Sequence, residues 1–143
     1  MNVGERFTTA AQSISEADVA AFAALTGDEH PQHTDPSWSA SSRFGEQIAH
    51  GLLVLSFASG LMSYDPERVI ALRRVRDAVS KAPVKIGDSV RVAGMVSAVR
   101  PIDEETELAE CRWRVLNQDD RLVVLATVEL VCRRVPVPEP VLI

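Results

Sequence analysis

Residues 48–62 read Ile-Ala-His-Gly-Leu-Leu-Val-Leu-Ser-Phe-Ala-Ser-Gly-Leu-Met, the longest apolar-rich stretch of a 143-residue chain. Drawn as a helix, Leu52, Leu53, Val54, Leu55, Phe57, Ala58 and Leu61 leave it apolar on nearly every side. Such a helix is normally a buried one. Few architectures of this size enclose a whole helix, and a sheet curling around it is one of them. The stretch is too short to span a bilayer and carries His50, Ser56 and Ser59 within it.

The sheet is expected downstream of residue 65, where strand signals replace helical ones. Arg91 to Arg100 alternates, with Val90, Val92, Val96 and Ala98 on one side. From Glu107 to Val115, Ala109, Cys111, Trp113 and Val115 face one way, and Glu110, Arg112 and Arg114 the other. Gly87-Asp88 and Asn117 to Asp120 read as turns, and Leu122 to Cys132 is strongly β-prone. Upstream, Ser15 caps a helix over Glu16 to Leu25, with Ala17, Ala20, Phe22 and Leu25 among its apolar positions and Thr26-Gly27 at its end. Gly27 to Pro36 should be an ordered loop, and Pro36 to Ala40 a short helix closed by Phe44-Gly45. Tyr64-Asp65-Pro66 reads as a turn beyond the long helix. The Pro-rich tail, 134–143, cannot pair as a central strand and should be extended. The sum is an α+β fold in a single domain, 1–143.

Composition narrows function. With 46% hydrophobic residues the chain can bury a core, and a net charge of −5 argues against nucleic-acid or membrane partners. An anionic ligand would need a local group of cations. Arg73, Arg74 and Arg76, with Lys81 and Lys85, form the notable one, although the outer face of a strand accounts for them equally well. Cys111 and Cys132 lie inside apolar runs and read as buried thiols of a reducing compartment. Met1 to Gln12 has no apolar run suited to secretion, so the expectation is a soluble, cytoplasmic protein.

All three histidines lie between residues 30 and 50, beside Asp28, Glu29 and Asp35. Three readings compete. The first is a metal site built from His30 and His33 with Asp28 or Asp35, but no cysteine takes part and the spacing matches no standard zinc signature. In the second, polar residues only cap helices and satisfy turns. The third is acid–base catalysis by a carboxylate and an imidazole.

The string Gly27-Asp-Glu-His-Pro-Gln-His-Thr-Asp-Pro36, then Phe44-Gly45, then Ile48-Ala-His-Gly-Leu-Leu53 favours the third. It resembles the signature of the MaoC-like, or R-specific enoyl-CoA hydratase, family of hot-dog proteins. Val3-Gly4-Glu5, Ser59-Gly60, Ala82-Pro83-Val84 and Gly87-Asp88 extend the likeness over roughly residues 3 to 132. The resemblance implies a hot-dog fold, in which the long helix is wrapped by one curved antiparallel sheet and subunits pair edge to edge as a homodimer or dimer of dimers. It implies a hydratase/dehydratase that interconverts a trans-2-enoyl thioester and an (R)-3-hydroxyacyl thioester, with Asp28 and His33 as catalytic residues holding a water. No separate cofactor is implied; coenzyme A or phosphopantetheine belongs to the substrate, and an acyl carrier protein is a possible partner.

Gly51 would open the buried helix and offer its free N–H to the thioester carbonyl. Ser59, His30 and His50 would be supporting residues, and Arg73, Arg74, Arg76 and Lys81 would meet the phosphates. His30 departs from the family's usual Asn. The rivals are a non-catalytic acyl-binding subunit of a heteromeric complex and a thioesterase. The latter typically needs a carboxylate on the central helix, and 48–62 contains none.

Overall fold

Four long strands carry most of the architecture. In the computed structural model, which describes residues 1–135 and 141, the chain runs β1 (Arg6–Thr8), β2 (Gln12–Ser13), α1 (Glu16–Thr26), α2 (Pro31–Thr34), α3 (Pro36–Ala40), α4 (Gly51–Leu61), β3 (Val69–Ser80), β4 (Ser89–Pro101), β5 (Thr106–Asn117) and β6 (Leu122–Arg133). The strands form one antiparallel sheet in the order β1-β4-β5-β6-β3, with β2 also pairing β4. The alternation of β5 places Ala109, Cys111, Trp113 and Val115 on one buried face. That face meets α4 through Leu53, Val54 and Ala58, together with Val92, Val96, Val128 and Leu130. Each of these Val and Leu side chains contributes about 1.5–3 kcal/mol when fully buried. This is the expected α+β hot-dog arrangement. No helix among the described residues is long and apolar enough to cross a membrane.

Several expectations shift in detail. The helix starts at Gly51, the residue expected to open it, and the apolar stretch before it is not helical. Ile48 makes a β-bridge with Lys85, and the Ala49 N–H donates to the Val84 carbonyl at 2.7 Å, so 48–50 are extended. Nor is α4 enclosed on all sides, because the sheet covers only one flank and leaves Leu52 69% exposed. In α1 the buried residues are Val19 and Ala23, whereas Leu25 stands 85% exposed. Apolar residues surround that helix, so periodicity could not pick the packed side. A capping box between Ser15 and Asp18 sets its start. Ala98 is exposed, not buried with Val96. A register shift between Val96 and Ala98 turns the strand over, and the Ser97 hydroxyl, which donates to the Glu110 carbonyl, sits in the irregularity. Two short strands, β1 and β2, precede the helices where no strand was expected. Of the 134–143 tail, positions 136–140, 142 and 143 lie outside the described residues. Cys111 and Cys132 are free and buried, and burial pushes the Cys111 thiol up to about 11.

Candidate active site

The loop after α1 is built from residues with local structural tasks. Gly27 takes a left-handed conformation, φ 80°, and its N–H donates to the Ala23 carbonyl, which turns the chain out of α1. His30 then caps α2: its Nδ1 accepts from the Gln32 N–H at 3.0 Å. An Asn oxygen would do the same, which explains physically why His30 can stand at that position. Asp35 caps α3 by accepting from the N–H groups of Ser37 and Trp38, so its carboxylate is engaged. Gln32 and Gln47 stitch this loop to the segment before α4, donating to the carbonyls of Glu46 and His33 at 2.9 Å each.

These stitches place two imidazoles face to face. His33 and His50 stack with ring centroids 3.9 Å apart and planes inclined by 26°, and Phe22 packs against His50 at 4.8 Å. Each ring is fixed by a carbonyl, which can only accept, so the bonded nitrogen carries the proton. His33 Nδ1–H donates to the Ile48 carbonyl at 2.7 Å, leaving Nε2 as a free lone pair. His50 Nε2–H donates to the Asp28 backbone carbonyl at 2.8 Å, and its Nδ1 is buried without a partner. Polar side-chain atoms of Asp28, His33 and His50 lie within 4.8 Å of one another. Burial lowers the pKa of His33 below 6.5, with the Ile48 bond opposing and the neighbouring His50 reinforcing the shift. His33 is therefore mainly neutral at pH 7 and suited to accept a proton.

A cavity of about 320 Å³ opens beside this pair, lined by His33, Ile48, Gly51, Ser80, Lys81 and Val84 among others. Gly51 is the first residue of α4, so its N–H has no intrahelical acceptor and points with the positive end of the helix. A Cβ there would lie 3.0 Å from the Ser80 hydroxyl, which makes glycine the fitting residue at this crowded mouth. Of the sequence-derived candidates, Asp28, His33, His50, Gly51 and Lys81 gather here, with His30 behind them. Ser59 does not. It lies two turns along α4, next to the Tyr64 hydroxyl, which burial pushes up to about 12. Arg73, Arg74 and Arg76 do not line the cavity either. They turn to the opposite face of the sheet, where all three surround the buried carboxylate of Glu129. Ser80 and the Ile48 carbonyl were missed, because nothing in the local sequence of a bulged edge strand or a short extended segment marks them, and Phe22 was read only as an apolar position of α1.

Asp28, His33 and His50 are also the trio among the described residues that could hold a metal ion. Tetrahedral zinc bonds imidazole at about 2.0–2.1 Å, so ligand atoms would have to draw closer than they stand. Two stacked rings also keep their in-plane lone pairs in separate, near-parallel planes. The arrangement suits a proton-transfer pair better than a coordination sphere.

The family described as MaoC like domain matches residues 1–115. An (R)-specific enoyl-CoA hydratase from Aeromonas caviae is 32% identical over 124 residues, covering 87% of this chain and 90% of that protein. Among solved structures, an Archaeoglobus protein described as a monoamine oxidase regulatory protein superposes with a TM-score of 0.89 at 32% identity, covering 95% of this chain and 93% of that one. An unliganded (R)-hydratase from Pseudomonas aeruginosa superposes with a TM-score of 0.79 at 27% identity, covering 100% and 93%.

Proposed function

Because the chain belongs to the MaoC-like domain family, we propose that it interconverts a trans-2-enoyl-CoA and an (R)-3-hydroxyacyl-CoA, with Asp28 and His33 as the acid–base pair. The observation that carries this reading is the free Nε2 of His33, bared by the Nδ1–H bond to Ile48 within reach of Asp28 and at the mouth of the cavity.

In the dehydration direction, neutral His33 Nε2 takes the proton from the α-carbon. Charge moves onto the thioester oxygen, where the Gly51 N–H donates. The electron pair then returns to form the α,β double bond as the β-carbon–oxygen bond breaks, and protonated Asp28 delivers its proton to the departing hydroxyl. Water leaves. Hydration runs the same steps backwards, so the active pair carries one proton between its two members. An oxyanion donor such as the Gly51 N–H contributes about 10²–10³ in rate. Lys81, at the cavity wall, suits a substrate phosphate.

Two copies pairing along β3 would complete the assembly as a homodimer. In support, β3 is an edge strand with Ile70, Leu72, Val75 and Val79 exposed, and an apolar edge left bare invites aggregation. The test is incubation with crotonyl-CoA, following loss of enoyl-thioester absorbance and the configuration of the product. Formation of (R)-3-hydroxybutyryl-CoA supports the reading. No turnover of this or longer enoyl-CoAs, with turnover of the carrier-protein thioester, would overturn the choice of coenzyme A. No turnover of either would overturn the activity.

A further inference from the structure

The sheet face turned away from α4 carries a hollow of about 460 Å³ that the activity proposed above does not use. Strand register builds it as a small grid. Across β1, β4 and β5 one row reads Arg6, Met95, Arg112, and the next reads Thr8, Ala93, Arg114, with Leu125 of β6 closing the second row. Ala93 has almost no side chain, so the grid sinks there, and Arg6, Arg112 and Arg114 rise around the depression. Residues two apart on a strand stand about 6.5–7 Å apart, and neighbouring strands about 4.8 Å apart. The three guanidinium groups can therefore converge on a single anionic chain.

The charge is uncompensated where compensation would be easiest. Among the described residues, Arg6, Arg112 and Arg114 make no ion pair, although the chain as a whole carries a net charge of −5. The two nearest carboxylates in sequence are engaged elsewhere. Glu110, two residues before Arg112, is held by Arg76 at 2.7 Å and by the Ser97 hydroxyl at 2.9 Å. Those bonds, with Arg112 a lesser contributor, also lower its pKa. Glu5, beside Arg6, turns back to accept from the Asn2 N–H. The floor is apolar: Ala93, Met95, Leu116 and Leu125 line it. Forked guanidinium donors match phosphate oxygens, an apolar floor suits a planar base, and the hollow is of the size that takes small molecules.

We propose that this outer ledge binds a nucleoside diphosphate, its phosphates on Arg6, Arg112 and Arg114 and its base over Ala93 and Leu125. The ligand has two sources, a free nucleotide or the nucleotide end of a coenzyme A thioester. The catalytic cavity opens on the other side of the sheet, so a thioester bound there has its reacting end remote from the ledge.

Isothermal titration with ADP, with AMP and pyrophosphate as partial ligands, tests this. The expected result is saturable 1:1 binding of ADP, stronger than that of either fragment, and weakened by about tenfold or more in Arg112→Gln/Arg114→Gln. Ala93→Leu, which fills the hollow and keeps every charge, should weaken it comparably, whereas Lys81→Gln at the catalytic cavity should leave it unchanged. Thermal melts confirm that each variant is folded. If ADP fails to bind, binds the double Arg variant as tightly as wild type, or binds Ala93→Leu unimpaired, the ledge is not a built site. Binding abolished by Lys81→Gln alone would place ADP in the catalytic cavity and also overturn the proposal. With the site established, displacement of ADP by coenzyme A identifies the substrate's own nucleotide as the ligand, and persistence of ADP identifies a free nucleotide.

Discussion

Replacing His50 by Leu should separate stability from catalysis. His50 is 2% exposed, and three contributions change on its loss. Its bond to the Asp28 carbonyl at 2.8 Å stabilises by about 0.5–1.5 kcal/mol. Its face contact with His33 at 3.9 Å adds about 0.5–1.5 kcal/mol, by analogy with other aromatic pairs. Against these stands Nδ1, a buried acceptor without a partner, whose burial costs about 1–3 kcal/mol. The losses and the gain each span about 1–3 kcal/mol and cancel at their central values, so His50→Leu should leave unfolding stability nearly unchanged.

Catalysis should not be spared. The Asp28 N–H bond to the Thr26 hydroxyl is exposed and 3.2 Å long, so the His50 bond is the principal anchor of the Asp28 backbone. A displacement of about 1 Å at a reacting group costs on the order of 10² in rate, or about 2.7 kcal/mol in the barrier. His50→Gln, whose amide N–H reaches about as far as Nε2, should recover most of it. The assay is kcat and KM on crotonyl-CoA beside a thermal melt: kcat falls in His50→Leu, KM moves by less than about threefold, and Tm stays within a few degrees. Activity and stability falling together, with Gln no better than Leu, would refute a positioning role.

Other consequences can be checked separately. Burial keeps the pKa of His33 below 6.5, so the group stays neutral as pH falls from 7 and charges only further down. Because the active pair carries one proton, the acid limb of kcat/KM marks a second proton joining it; that limb must lie below the pKa of His33, hence below pH 6.5, and a limb above that value contradicts the assignment. In Gly94→Ala the new Cβ would stand 2.3 Å from the Phe7 ring and 2.8 Å from the Arg112 carbonyl oxygen. It should destabilise by about 1–3 kcal/mol in denaturant titration, less in a Phe7→Leu background. His30→Asn should keep the α2 cap and melt within about 0.5 kcal/mol of wild type, whereas His30→Ala should lose about 1 kcal/mol.

The α+β class and the long strands were legible because β5 alternates cleanly and β6 is a dense run of β-prone residues, and burying one face leaves little choice of register. Asp28, His33 and Gly51 became candidates through the motif's family resemblance, and their loop was legible because glycine, proline and capping residues act locally. Non-local geometry was not legible. The stack of His50 on His33 and the bond from His33 to Ile48 depend on how the 46–50 segment is stitched to α2. The same holds for Ser80, which reaches the cavity only because β3 pairs with β6. Arginine composition misled for a related reason. Arg73, Arg74 and Arg76 form a dense local cluster, yet a buried Glu129 some fifty residues away in sequence claims them.

The central claim is that Asp28 and His33 act as one proton-transfer unit. The most direct test compares crotonyl-CoA hydration by wild type, Asp28→Asn, His33→Gln and the double variant, all shown to be folded. Each single change should lower kcat by about 10²–10⁴, and the double variant should be scarcely worse than the poorer single one, because the two residues share one task. Retention of more than about a tenth of wild-type kcat in either single variant, or losses that simply multiply in the double, would contradict it.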